Sequence, residues 1–254
     1  MYLIVGGDSL IGGALANYWS ERGVSYHMST RRSERVAGDR PFIDLSNPES
    51  FSLTQKYDGA VLCAAASRLA ACEEHPEETY RINVTGTCAI AQELERAGTF
   101  ILFLSTSQVF DGSKPFRFPE EPTCPVNQYG KQKSEAERRV LELQNSAVLR
   151  IAKVIYDGFP LFVEWQRKLS SGQAIKAYRN YFFAPIQLDS VVCEIDRVIR
   201  AKCPGIHHTP SCEDVSYYEY ALNLGRLLNA DLALIEGVDV EFNFDYCRYT
   251  SLRS

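Results

Sequence analysis

The chain has no long hydrophobic stretch. Strongly apolar runs such as Phe100 to Leu104 fall far short of the roughly 18 residues that a bilayer-spanning helix needs. Basic charge is not in excess either. Lys and Arg number 27 against 32 Asp and Glu, a net charge of −5, which argues against a broad nucleic-acid or anionic-membrane surface. A small basic pocket for a phosphate stays open. None of the eight cysteines forms a CxxC pair, and no Cys/His cluster has zinc-finger spacing. They read as reduced thiols of a cytoplasmic protein. The neighbours His207 and His208 point to opposite faces of a strand, so no metal site is expected. The N-terminus MYLIVGG lacks the basic start of a secretory signal and reads as a strand.

What is present is a globular composition: 45% apolar and 23% charged over 254 residues. Short apolar runs alternate with amphipathic stretches over residues 1–155. Strands are expected at Tyr2–Val5, Val24–Thr30, Phe42–Asp44, Gly59–Cys63, Thr99–Ser105 and Ala147–Val154, with helices at 11–22, 48–57, 76–97 and 127–144. Alternation with continuously apolar strands implies a parallel sheet covered on both faces. Residues 156–254 are less regular. Helices are expected at 161–171, 189–202 and 217–229, the last opened by the capping box Ser216-x-x-Glu219. Residues 173–187 are aromatic and irregular. The expected division is a dinucleotide-binding unit at 1–155, to which 188–209 returns, and a small substrate-binding lobe at 156–254.

The first strand runs into Gly6-Gly7-Asp8-Ser9-Leu10-Ile11-Gly12-Gly13, where a helix starts. Strand, glycine turn and helix together are the context of a dinucleotide site: glycines permit close approach, and the helix N-terminus offers free N–H groups to a pyrophosphate. The fold class that follows is a Rossmann-type, doubly wound α/β sheet. The second strand ends in Ser29-Thr30-Arg31-Arg32 with no acid between Val24 and Ser33. Arginines there suit the 2′-phosphate of NADP(H), and NAD(H) is less favoured. Asp44 and Leu45 fit beside the adenine, and the small residues Cys63, Ala64, Ala65 and Ala66 let a cofactor lie against backbone.

Tyr129 and Lys133 are four apart, so they share one face of a helix. An ammonium near a phenol would lower its pKa and suit it to acid–base work. Ser105 and Thr106 leave the C-terminal edge of the fifth strand, where open α/β sheets bind ligands. Thr106 offers a hydroxyl to the same carbonyl. The aromatics at 178–183 read either as core or as a base-stacking surface.

Together these segments resemble the extended short-chain dehydrogenase/reductases, in their dTDP-4-dehydrorhamnose reductase-like branch. The glycine turn is similar to GxxGxxG, with Ser9 at the middle glycine. Ser105-Thr106-Ser107-Gln108-Val109-Phe110-Asp111-Gly112 is similar to STDYVFDG, with Ser107-Gln108 in place of Asp-Tyr. Tyr129 to Lys133 matches YxxxK, and Arg81–Thr87, Gly205–His208 and Ser216–Ala221 resemble further family segments. The resemblance implies Tyr129 as general acid, Lys133 as its activator and a ribose ligand, Thr106 as the carbonyl-orienting hydroxyl, and Asn83 in a proton path. It implies Gly6, Asp8, Ser9, Leu10, Ile11 and Ser105 at the cofactor, and Ser107, Gln108 and Asn180 at the substrate.

The implied reaction is reduction of a nucleotide-linked 4-keto sugar by NADPH, in a protein that often forms homodimers. Two other readings stand beside it. One is an epimerase or dehydratase, which needs a further acid or base near Thr106. The other is a regulatory subunit that binds NADP without turnover.

Overall fold

The computed structural model describes every residue except 54 and 242–244. The chain opens with β1 (Tyr2–Val5), α1 (Leu10–Glu21), β2 (Tyr26–Met28) and β3 (Gly59–Leu62). Then come α2 (Leu69–Glu74), α3 (Pro76–Tyr80), a π-helical turn (Arg81–Gly86), α4 (Thr87–Arg96), β4 (Phe100–Thr106), α5 (Gln128–Val140) and β5 (Ser146–Ile151). The remainder holds β6 (Lys153–Ile155), α6 (Pro160–Ser170), β7 (Ile175–Tyr178), β8 (Phe182–Phe183), β9 (Pro185–Gln187), α7 (Leu188–Ala201), β10 (Gly205–His208), β11 (Val215–Ser216), α8 (Tyr217–Leu227) and β12 (Ile235–Val238).

Among the described residues, six strands form one sheet in the order β10-β5-β4-β3-β1-β2, every pair parallel. Alternate strand residues feed two cores, as the two-residue period dictates. Ile4, Leu102 and Leu104 join Leu15, Trp19 and Ile195 on the face of α1 and α7. Leu3, Val5, Ile101 and Phe103 join Ile90, Leu94 and Val140 on the face of α4 and α5. This is the doubly wound architecture. The chain steps outward from β1 to β2 and then returns to β3 on the other side of β1. Ligands bind at such a reversal, and the glycine turn sits there.

Some local expectations give way. Phe42–Asp44 is a single parallel bridge, Thr30 to Phe42, and not a strand. The helix expected over 48–57 shrinks to a 3-10 turn at Pro48–Ser50, residue 54 lying outside the described residues. Phe51 and Leu53, two apart, both pack against the second core, a spacing that extended chain satisfies and a helix does not. The helix expected over 76–97 is α3, the π turn and α4, preceded by the unforeseen α2. The strand expected over 147–154 breaks at Ala152.

The irregular segment 173–187 contains β7, β8 and β9. A third core gathers Phe162, Trp165, Phe183, Tyr217 and Tyr220 from α6, β8 and α8, with the Phe162 and Tyr220 rings stacked at 4.3 Å. β7 pairs with β12 at its side. All eight cysteines are free thiols. Among the described residues no helix is long and apolar enough to cross a membrane.

Candidate active site

The glycine turn packs too tightly for side chains. Gly6 has φ +93°, and a Cβ there would lie 2.7 Å from the Ala64 nitrogen. A Cβ at Gly12 would lie 2.4 Å from the Gly6 carbonyl oxygen. Ser9 has ordinary extended dihedrals, φ −79° and ψ 162°, so no glycine is required at the middle position. Its hydroxyl instead caps α1. Oγ accepts the Gly12 N–H at 3.1 Å and donates to the Gly6 carbonyl at 2.7 Å.

This turn forms one wall of a cavity of about 570 Å³. Gly6, Asp8, Ser9, Arg31, Arg32, Asp44, Leu45, Ala64 and Ala65 all line it. Ser29, Thr30 and Ala66, from the segments expected beside the cofactor, line it too, as do Ile43 and Ile82, which were not expected at the cofactor. Cys63 does not reach it. Its side chain packs on the α1 face of the sheet, and burial pushes its thiol up to about 12.

Asp8 carries a second surprise. Its carboxylate accepts from Thr30 Oγ1 at 2.5 Å, Arg35 Nη1 at 3.0 Å and Arg40 Nη2 at 2.5 Å. The Thr30 hydrogen bond, then those to Arg35 and Arg40, hold it below the usual carboxylate range. Arg35 and Arg40 are thereby engaged. Arg31 and Arg32 stay exposed on the cavity rim, with no ion pair among the described residues.

A second cavity, about 430 Å³, adjoins the first. Ser9 lines one and Leu10 the other; Ala66 lines one and Ser67 the other. Leu10, Ile11, Ser105, Thr106, Ser107, Gln108 and Tyr129 all line the second. Thr106 Oγ1 accepts the Gln108 N–H at 3.2 Å, which leaves its own proton free to donate. Ser105 Oγ is buried with no hydrogen-bond partner among the described residues. Gln108 Oε1 accepts from Asn127 Nδ2 at 2.9 Å, so this side chain is tied to the N-cap of α5.

Tyr129 and Lys133 share α5, but they are not coupled as the sequence suggested. Lys133 is buried. Its Nζ donates to the Leu104 carbonyl at 2.6 Å and lies 3.7 Å from the Phe103 ring centroid. Burial lowers its pKa to about 7 despite Glu137 nearby. Desolvation, with a smaller push from Cys72, raises the Tyr129 phenol above its ordinary range. Lys133 is not among the groups that shift the phenol, its amine being held on the Leu104 carbonyl. At neutral pH Tyr129 is a protonated phenol at the cavity wall.

Asn83 reaches neither cavity. Its Oδ1 accepts the Ala66 N–H at 2.8 Å, and Nδ2 donates to the Ala66 carbonyl and to Gln132 Oε1. Gln132 in turn donates to Thr79 and the Pro76 carbonyl. With both Nδ2 hydrogens donated and Oδ1 accepting from Ala66, the Asn83 side chain positions the Ala66 backbone from outside both cavities. Asn180 is likewise spent on the Val240 backbone, at 2.9 Å in both directions, and does not line the second cavity.

Parallel sheet, glycine turn and a YxxxK helix beside a strand-end threonine define a protein of the extended short-chain dehydrogenase/reductase class. The family pattern described as the RmlD substrate binding domain matches residues 1–244, and the chain belongs to that family. Bovine (Bos taurus) methionine adenosyltransferase 2 subunit beta is 32% identical over 155 residues, 59% of this chain and 45% of that protein. The chain spans about half the length of the first such relatives it matches. The spore coat polysaccharide biosynthesis protein SpsK of Bacillus subtilis is 25% identical over 94% of this chain and 83% of that one. Among solved structures, dTDP-4-dehydrorhamnose reductase of Bacillus anthracis in complex with NADP superposes with a TM-score of 0.85 at 19% identity, covering 100% of this chain and 89% of that one.

Proposed function

We propose that the chain is an NADP(H)-dependent reductase of a carbonyl on a nucleotide-linked 4-keto sugar. Residues 1–155 with 188–209 hold the cofactor, and the rest of 156–254 shapes the substrate site. The observation that carries this reading is the convergence of Ser105, Thr106 and Tyr129 on one cavity that continues into the glycine-turn cavity. The cofactor fits the residues present. The glycine cradle excludes side chains, the first-turn N–H groups of α1 face a pyrophosphate position, and the unpartnered Ser105 hydroxyl waits beside Tyr129. Arg31 and Arg32 suit a 2′-phosphate.

Bound there, the reduced nicotinamide supplies a hydride to the carbonyl carbon. Thr106 donates a hydrogen bond to the carbonyl oxygen and orients it. Tyr129 gives its phenolic proton to that oxygen as negative charge develops, completing the alcohol, and then regains a proton from solvent. The raised pKa keeps the phenol protonated at neutral pH, and its proton moves only as negative charge builds on the carbonyl oxygen. Lys133 holds α5 against β4 through the Leu104 carbonyl.

An epimerase or dehydratase is disfavoured, because the described lining of the second cavity contains no carboxylate or imidazole. A subunit reading has a specific support. The first relatives are named as a subunit of another enzyme, and the Lys133 amine is held on the Leu104 carbonyl. Loss of NADPH absorbance against a panel of keto-sugar nucleotides separates the two. Turnover that disappears in Tyr129→Phe supports the reductase; NADPH binding without turnover on any of them supports the subunit.

A further inference from the structure

The break at Ala152 has a chemical result. Beyond it the chain leaves the main sheet and β6 pairs with β9, the Lys153 N–H donating to the Ala184 carbonyl at 3.1 Å. Lys153 thereby lines the second cavity, where it is the sole charged side chain among the described lining residues. No described carboxylate stands within ion-pairing distance of its Nζ, and its aromatic neighbour is Phe159, 5.5 Å to the ring centroid. Desolvation by the surrounding protein lowers its pKa, and no neighbouring charge offsets that. The side chain is nonetheless open to water in the cleft. An ammonium on the wall of a cleft, with no carboxylate paired to it and still reachable from solvent, is free to take an anionic ligand group. Tyr156, Phe159, Tyr181, Phe182 and Tyr217 line the same cavity, a wall suited to a planar ring.

We propose that Lys153 is the anion-reading residue of the second cavity. It binds the phosphate of a nucleoside diphosphate whose ring lies against that aromatic wall. The inference rests on the second cavity being the substrate site. It adds a charged specificity residue where the remaining lining offers only hydroxyls, an amide, a thiol and rings. Lysine acts on phosphate as a compact point charge, without the fork geometry of arginine.

Calorimetric titration of the full chain saturated with NADPH tests this, with dTDP, inorganic pyrophosphate and thymidine as probes. In Lys153→Met, dTDP affinity falls about 10-fold or more, equivalent to about 1.4 kcal/mol, while thymidine and NADPH affinities hold. Lys153→Arg retains dTDP binding, and Lys176→Met, which is not part of the cavity lining, leaves it unchanged. Raising salt weakens dTDP binding to the wild type more than to Lys153→Met. The proposal is overturned if Lys153→Met binds dTDP like the wild type, loses thymidine equally, or if the wild type binds no dTDP. A wild type that binds no NADPH defeats the reductase reading instead. The dTDP titrations of wild type and Lys153→Met without NADPH still read Lys153 in that case.

Discussion

At the residue scale, burial decides what Tyr129 and Lys133 can do. Helical spacing places them on one face, but spacing says nothing of where a flexible amine ends. Lys133 ends on the Leu104 carbonyl and the Phe103 ring. Tyr129→Phe is expected to abolish turnover while NADPH affinity, read by fluorescence titration, stays within about 2-fold, because the hydroxyl is spent on the reacting oxygen. Arg31→Ala plus Arg32→Ala is expected to weaken NADPH far more than NADH; equal weakening in the two titrations would remove the 2′-phosphate argument. Ser9 acts through its cap. Ser9→Ala should cost about 1 kcal/mol in denaturant unfolding and Ser9→Gly only a few tenths.

At the scale of elements, two close approaches set the walls of the site. α5 meets the loop after β4 at Gly130, where a Cβ would lie 2.1 Å from the Gln108 carbonyl oxygen. The π turn meets the Asp44–Leu45 segment at Gly86, where a Cβ would lie 1.8 Å from the Leu45 oxygen. Gly86→Ala must push backbone away from backbone. It should destabilise the protein by about 1–3 kcal/mol and weaken NADPH, since Leu45 and Ile82 line the first cavity. Gly38→Ala has nothing within 4 Å of its Cβ and should be close to neutral. Matched melting curves and NADPH titrations of the two variants check the contrast. The Asn83 clamp works beside Gly86, joining the π turn, the Ala66 backbone and Gln132 of α5.

For the whole molecule, the C-terminal segment closes the second cavity and is held by groups remote in sequence. Tyr246, Cys247 and Thr250 line that cavity, while Asp214 accepts from both Thr250 and Ser251. At the sheet edge His208 donates from Nδ1 to the Arg253 carbonyl at 2.8 Å, and its Nε2 accepts from Arg150 Nη1 at 3.3 Å. Arg150 is buried with Glu137, 2.8 Å apart. Burial, then Arg150, lowers the His208 pKa to about 4. Between pH about 4 and the ordinary histidine value of about 6.5 the unfolded chain binds a proton that the folded chain refuses, so stability rises with pH across that window. His208→Gln should flatten the dependence of the melting temperature on pH there. An unchanged slope would show that other groups control acid unfolding.

The sequence by itself determined the parallel sheet, the glycine turn at β1, the strand-end Ser105-Thr106 and the helical pairing of Tyr129 with Lys133. These follow from short-range periodicity and from residues whose backbone freedom is local. Only the tertiary structure decided which polar groups remain available. Asn83 and Asn180 are held by partners 17 and 60 residues away, and the Gln108 side-chain oxygen by one 19 residues away. Arg35 and Arg40 serve Asp8, and Lys153 reaches the second cavity because the strand breaks at Ala152. Hydrogen-bond saturation and desolvation depend on which distant segments pack together, and the periodicity of a single segment carries no record of its neighbours.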